Sequence, residues 1–185
     1  DHQSNSSRYG ATPLLLCFLL SITSFAQENR SALTFFGWSD QHTNTSGDTS
    51  RLHPFVDAMN TMAGTAWPKA VGDKVANPSF VIGAGDITEW PTHAAMKGYD
   101  SLLNNRLQFP AYDVLGNHDD GGRAFSPTMI NWLKKKHGSL SYTFEKSGVV
   151  FIGLWSKFDP KGKPAQPLTQ EALTYLKEQL AKLSK

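Results

Sequence analysis

Three short runs of strand-forming residues, 33–38, 79–84 and 111–115, each give way abruptly to polar or glycine-containing sequence. Between them lie two stretches whose apolar residues recur at helical spacing. Residues 52–63 put Leu52, Phe55, Val56, Met59 and Met62 on one stripe, and residues 93–107 do the same with Met96, Tyr99, Leu102 and Leu103. Further on, Ser126 reads as a helix N-cap with Pro127 at the first helical position, and Ile130 and Leu133 facing inward. The patterns over 140–145 and 149–155 predict a hairpin turning across Lys146-Ser147-Gly148. A final amphipathic helix opens at Leu168-Thr169-Gln170-Glu171 and carries Leu173, Leu176, Leu180 and Leu183. Strands that alternate with helices argue for an α/β layered fold, in which ligands gather at the carboxyl ends of the strands.

Composition narrows the picture without redirecting it. A chain of 185 residues, 39% hydrophobic and 18% charged, suits one globular domain. A net charge of +2 is too small to point to nucleic acid or a membrane surface. The one basic cluster, Lys134-Lys135-Lys136, reads as the solvated end of a helix, and His137 as a further cation at that terminus. Arg8, the apolar run 14–20 and the small-x-small site Ser24-Phe25-Ala26 together read as a signal peptide over 1–26, leaving a domain over 27–185. The expected location is secreted or periplasmic, with no transmembrane segment after cleavage, because the apolar run is too short to span a bilayer. Cys17, the single cysteine, lies inside that signal, so any metal in the mature chain must be held by oxygen and imidazole nitrogen.

The three strand ends carry the candidate chemistry. Asp40 and His42 are two positions apart in extended chain, so both side chains can reach one ion. Asp86 follows Gly85, where a carboxylate can bridge two cations, although a turn aspartate is as common there. In Gly116-Asn117-His118-Asp119, Asn117 offers a neutral oxygen ligand, and Gly116 is expected to let the backbone turn sharply. His118 is placed to donate a proton to a leaving oxygen or to stabilise a transferring phosphoryl group. Each motif alone also fits an ordinary loop, but the three in this order, separated by intervals that admit one helical crossover each, point to a shared site. Asp119 and Asp120 are assigned to the loop, with Asp119 also able to orient its neighbours.

In these residues the chain resembles the calcineurin-like metallophosphoesterase family, whose opening pattern is Asp-x-His, Gly-Asp-x-x-Asp, then Gly-Asn-His-Asp/Glu. The resemblance implies a layered β-sandwich flanked by helices and a pair of divalent metal ions such as Mn, Fe or Zn. Asp40 and His42 would hold the first ion, Asp86 would bridge, Asn117 would bind the second, and His118 would be the acid. Glu89 stands where relatives carry the aspartate that orients this histidine, and also where the purple acid phosphatase branch carries its tyrosine, which argues against a tyrosinate–iron site. The implied activity is hydrolysis of small phosphate mono- or diesters by water activated between two metals. The family adds a later histidine and a Gly-His-x-His motif, neither of which occurs here, so the expectation is the N-terminal portion of such a domain. The alternative is a non-catalytic relative acting as a binding or structural protein.

Overall fold

Strands and helices alternate along residues 33–183, the part of the chain that this computed structural model describes. The signal peptide expected over 1–26 lies outside the described residues. Strands β1 (Phe36–Trp38), β2 (Val81–Gly83) and β3 (Ala111–Asp113) form a parallel sheet in that order, with Phe36 opposite Val81 and Val81 opposite Ala111. Helix α1 (His53–Thr61) makes the first crossover and α2 (His93–Asn105) the second. Helix α3 (Thr128–His137), the antiparallel hairpin β4 (Tyr142–Lys146) and β5 (Val149–Gly153), and helix α4 (Gln170–Leu183) follow. The result is a mixed α/β fold with one parallel and one antiparallel sheet among the described residues. No helix among them is long and apolar enough to cross a membrane.

The period-two alternation of the strands explains how the sheet is covered. Phe36, Trp38, Val81 and Ala111 share one face and pack with Val56, Met59, Tyr99, Leu102, Ile130 and Leu133 from helices α1 to α3. Phe35, Phe80 and Tyr112 point the other way, toward the hairpin. There the Phe144 ring stacks on Tyr112 at 3.6 Å, and Phe80 meets Phe144 and Phe151 edge-on at 5.3 and 5.1 Å. Phe80 is fully buried, worth about 1.5–3 kcal/mol relative to exposure. The hairpin turns at Ser147 and Gly148, both left-handed (φ 50° and 73°), as a two-residue turn that matches the strand twist requires.

Local differences from the sequence reading have physical causes. The parallel strands are shorter than the apolar runs, three residues each, and left-handed backbone follows at Asp40 and Gly85 just past β1 and β2. Pro127, not Ser126, occupies the α3 N-cap, and the Ser126 hydroxyl instead donates to the Pro91 carbonyl at 3.2 Å, tying two loops. His137 is not a helix-end cation. Its ring lies 4.1 Å from that of Tyr142, stacked and half-buried, and burial pushes its pKa down to about 4. Within the lysine run, Lys134 and Lys135 are exposed, but Lys136 donates to the wholly buried Asp113 at 2.9 Å. That carboxylate also accepts from the Tyr99 hydroxyl at 2.8 Å, and it lies against Gly83, where a Cβ would overlap its Oδ1.

Candidate metal centre

The loops that leave β1, β2 and β3 at their carboxyl ends meet one another through the backbone. Asp40 N donates to Gly85 O at 3.0 Å, His42 N to Asp86 O at 3.0 Å and Thr43 N to Ile87 O at 2.8 Å, so the first loop runs along the second. This pairing is made with Asp40, His42 and Asp86 all in the left-handed region, at φ 54°, 45° and 53°. Non-glycine residues held there each cost on the order of 1–3 kcal/mol, which the surrounding bonds must offset. Three of the four positions assigned as metal ligands from sequence are therefore among the four such non-glycine residues described; the remaining one is Ser147 in the hairpin turn.

The side chains converge. One donor atom each from His42, Asp86 and His118 lies within 4.8 Å of the others, a group that can hold a metal ion. His42 Nε2 is 3.7 Å from Asp40 Oδ1, and the His42 and His118 rings approach edge-on at 4.6 Å. Asn117 lines a cleft of about 250 Å³ together with Asp40, Asp86, Ser156 and Gln166. All four residues read as ligands are thus at one place, and His118 stands with them. Imidazole nitrogen and carboxylate oxygen form a donor set suited to a divalent ion such as Mn, Fe or Zn, so the group of His42, Asp86 and His118 fits one such ion.

Three details differ from the sequence reading. Asp40 and His42 sit in left-handed and not extended backbone, so they meet through the course of the loop and not through strand alternation. Glu89 reaches His118 through its main chain: its carbonyl oxygen lies 2.8 Å from His118 Nδ1, while its side chain is exposed. With the Nδ1 proton assigned to that bond, Nε2 is the nitrogen left for chemistry. Orientation of His118 therefore does not depend on having an aspartate at position 89. Gly116 does not take left-handed backbone; a Cβ there would overlap Asp86 Oδ1, so glycine serves close approach, not a turn. The His118 amide donates to that same Asp86 oxygen at 3.1 Å.

Asp119 has a larger part than its assignment to the loop suggested. Wholly buried, it accepts from Thr88 N and Thr88 Oγ1 on one oxygen (2.8 and 3.1 Å) and from Ile87 N and Gly116 N on the other (3.1 and 2.9 Å). Burial pushes its pKa up to about 6, against the four hydrogen bonds, which lower it. It joins the loop after β2 to the loop after β3. Arg51 does a similar service for the first loop, its guanidinium donating to the carbonyls of Gln41 (2.9 Å) and His42. Asp119 was visible as the last residue of its motif, whereas nothing in the sequence marks Arg51.

Compared with known proteins, the chain matches no family model and no curated protein.

Proposed function

We propose that this chain carries the metal centre of a secreted, metal-dependent phosphoesterase of the calcineurin-like kind. The observation that supports the reading is the convergence of His42, Asp86 and His118 at the carboxyl ends of three successive parallel strands, with Asp40 and Asn117 beside them. Asp40 and His42 would hold one divalent ion and Asn117 a second, with Asp86 between. Bound cations would polarise the phosphoryl oxygens of a mono- or diester and acidify a water. The chain's own contribution is positional. Asp86 is fixed by the His118 amide, and its close neighbour Gly116 leaves room for it. His118 Nε2 can bind an ion or hold a proton for the leaving oxygen, but not both at once. Its anchor on the Glu89 carbonyl leaves Nε2 free for either role, and the resemblance favours the proton role. The family's layered sandwich would place the sheet and hairpin as its two strand layers.

Calorimetric titration with Mn²⁺, paired with hydrolysis of bis(p-nitrophenyl) phosphate, tests this reading. Asp86→Ala is expected to abolish Mn²⁺ binding and turnover together. His118→Ala is expected to keep Mn²⁺ affinity and lose about 10²–10⁴-fold in kcat. Unchanged Mn²⁺ affinity in Asp86→Ala would overturn the metal assignment. Loss of Mn²⁺ in His118→Ala would make that histidine a ligand and not the acid.

A further inference from the structure

We propose that Trp90 receives a planar aromatic group carried by the phosphate ester, so that the preferred substrates are aryl or nucleoside phosphates and not alkyl ones. The proposal rests on the phosphoesterase reading above and names the substrate class for that site.

Trp90 is tied to His118 by a single peptide unit. The Glu89 carbonyl that meets His118 Nδ1 at 2.8 Å belongs to the Glu89–Trp90 peptide. Peptide planarity then places the Trp90 Cα within roughly 6 Å of that nitrogen. The main chain around it is held from several sides. Glu89 N donates to Thr43 O at 2.9 Å and Thr92 N to Trp90 O at 2.7 Å. The Thr92 hydroxyl donates to Thr45 O at 2.7 Å, and Ser126 Oγ to Pro91 O at 3.2 Å. On this fixed backbone Trp90 is left 41% exposed.

The other tryptophans are used differently. Trp38 and Trp132 pack against Tyr99, and Trp155 lies against the core. Trp67 is also exposed, but it sits beside the Ala66–Lys74 bridge, in a segment whose main-chain bonds stay within residues 62–75. Only Trp90 combines exposure with direct linkage to His118. A second exposed residue, Phe125, immediately precedes the Ser126 that bonds to Pro91, so its main chain is tied to the lip that carries Trp90. A proton donor must stand beside the leaving oxygen, so the substituent on that oxygen extends past His118. A planar ring reaching this lip can stack on the indole and remove apolar area from water, whereas a short alkyl group offers little to cover.

Non-hydrolysable ligands separate the proposal from the reading beneath it. Methylphosphonate, phenylphosphonate and a nucleoside 5′-phosphonate would each be titrated calorimetrically into the Mn²⁺-loaded protein. At least one ring-bearing ligand is expected to bind about tenfold tighter than methylphosphonate. Trp90→Ala should erase that advantage and Trp90→Phe should keep most of it. Advantage for phenylphosphonate alone would place the ring directly on the phosphorus-bound group; advantage for the nucleoside alone would place it beyond a sugar. Equal binding of all three by the wild type, or an advantage that survives in Trp90→Ala, overturns the proposal. Binding of none of the three removes the phosphoesterase reading, and the substrate class falls with it.

Discussion

Asp113 and Asp119 are both wholly buried, one at the end of β3 and the other in the loop that follows it, yet they are held in opposite ways. Asp113 faces the helices and meets a cation, Lys136, and the Tyr99 hydroxyl. Asp119 lies between the loops that follow β2 and β3 and meets no cation among the described residues; three main-chain amides and one threonine hydroxyl surround it. These side-chain bonds join whole elements, the ion pair tying α3 to the sheet and the Tyr99 hydroxyl tying α2. Main-chain donors fix the course of loops. The first carboxylate therefore belongs to the stability of the fold, and the second to the shape of the site.

Replacing each by its amide should separate the two roles. Asp119→Asn turns an acceptor into an NH₂ group that confronts amide donors, so two bonds are lost and the loops after β2 and β3 are forced apart. The expected cost is about 3–5 kcal/mol by urea denaturation, together with at least tenfold weaker Mn²⁺ binding. Asp113→Asn removes the carboxylate from the Lys136 ammonium, but the ammonium also lies 4.8 Å over the Trp132 ring, and its side chain is 25% exposed and can turn toward water. Its expected cost is smaller, about 2–3 kcal/mol, with Mn²⁺ affinity unchanged. If Asp113→Asn weakened the metal and Asp119→Asn did not, the comparison would be the wrong way round.

The glycines packed against carboxylates sharpen the same contrast with a smaller perturbation. Gly83 lies against Asp113 and Gly116 against Asp86, and an added methyl would overlap an oxygen in either place. Each alanine variant is expected to cost about 1–3 kcal/mol through overpacking. Gly83→Ala should register in the melting temperature alone. Gly116→Ala should also move Asp86 and lower Mn²⁺ affinity. A Gly116→Ala protein with full affinity would mean that the Asp86 carboxylate is free to rotate out of place without consequence.

These contrasts mark what the sequence could and could not disclose. The parallel strands, α1, α2, the hairpin and α4 were legible because amphipathic period and turn residues agree at each of them. The residues that meet at the centre were legible because Asp40, His42, Asp86 and Gly116 to Asp119 all follow apolar runs. What stayed hidden depends on contacts between distant segments. Spacing says nothing of Lys136 reaching Asp113, of Arg51 gathering the Gln41 and His42 carbonyls, or of the Glu89 main chain replacing a side chain as the partner of His118. His137 was misread for the same reason: position at a helix end suggests charge, while the rings of Tyr112 and Tyr142 beside it are visible only in three dimensions.

His137 supplies the smallest effect, on the Asp113 side of the comparison. Burial lowers its pKa most, the neighbouring Lys136 ammonium lowers it further, and Asp113 opposes both, leaving it at about 4 against an ordinary 6.5. Between those values the unfolded chain binds the proton and the folded chain does not, so this residue's contribution to stability falls as pH drops from about 6.5 toward about 4. Asp119 acts in the opposite sense in much of the same window: its carboxyl titrates at about 6 when folded and near 3.8 when unfolded, so the folded state takes up the proton first and gains as pH falls. Wild type alone would mix the two. The difference between wild type and His137→Phe isolates the ring, because phenylalanine preserves the stack on Tyr142 and titrates nothing. Relative to its value at about pH 7.5, that difference should shift in favour of the variant by on the order of 1 kcal/mol at about pH 4.5, a figure discounted from the full shift because the ring is only half-buried. A difference that stays flat across this range would mean that His137 titrates as an ordinary helix-end histidine, and that Tyr112 and Tyr142 do not enclose it as described.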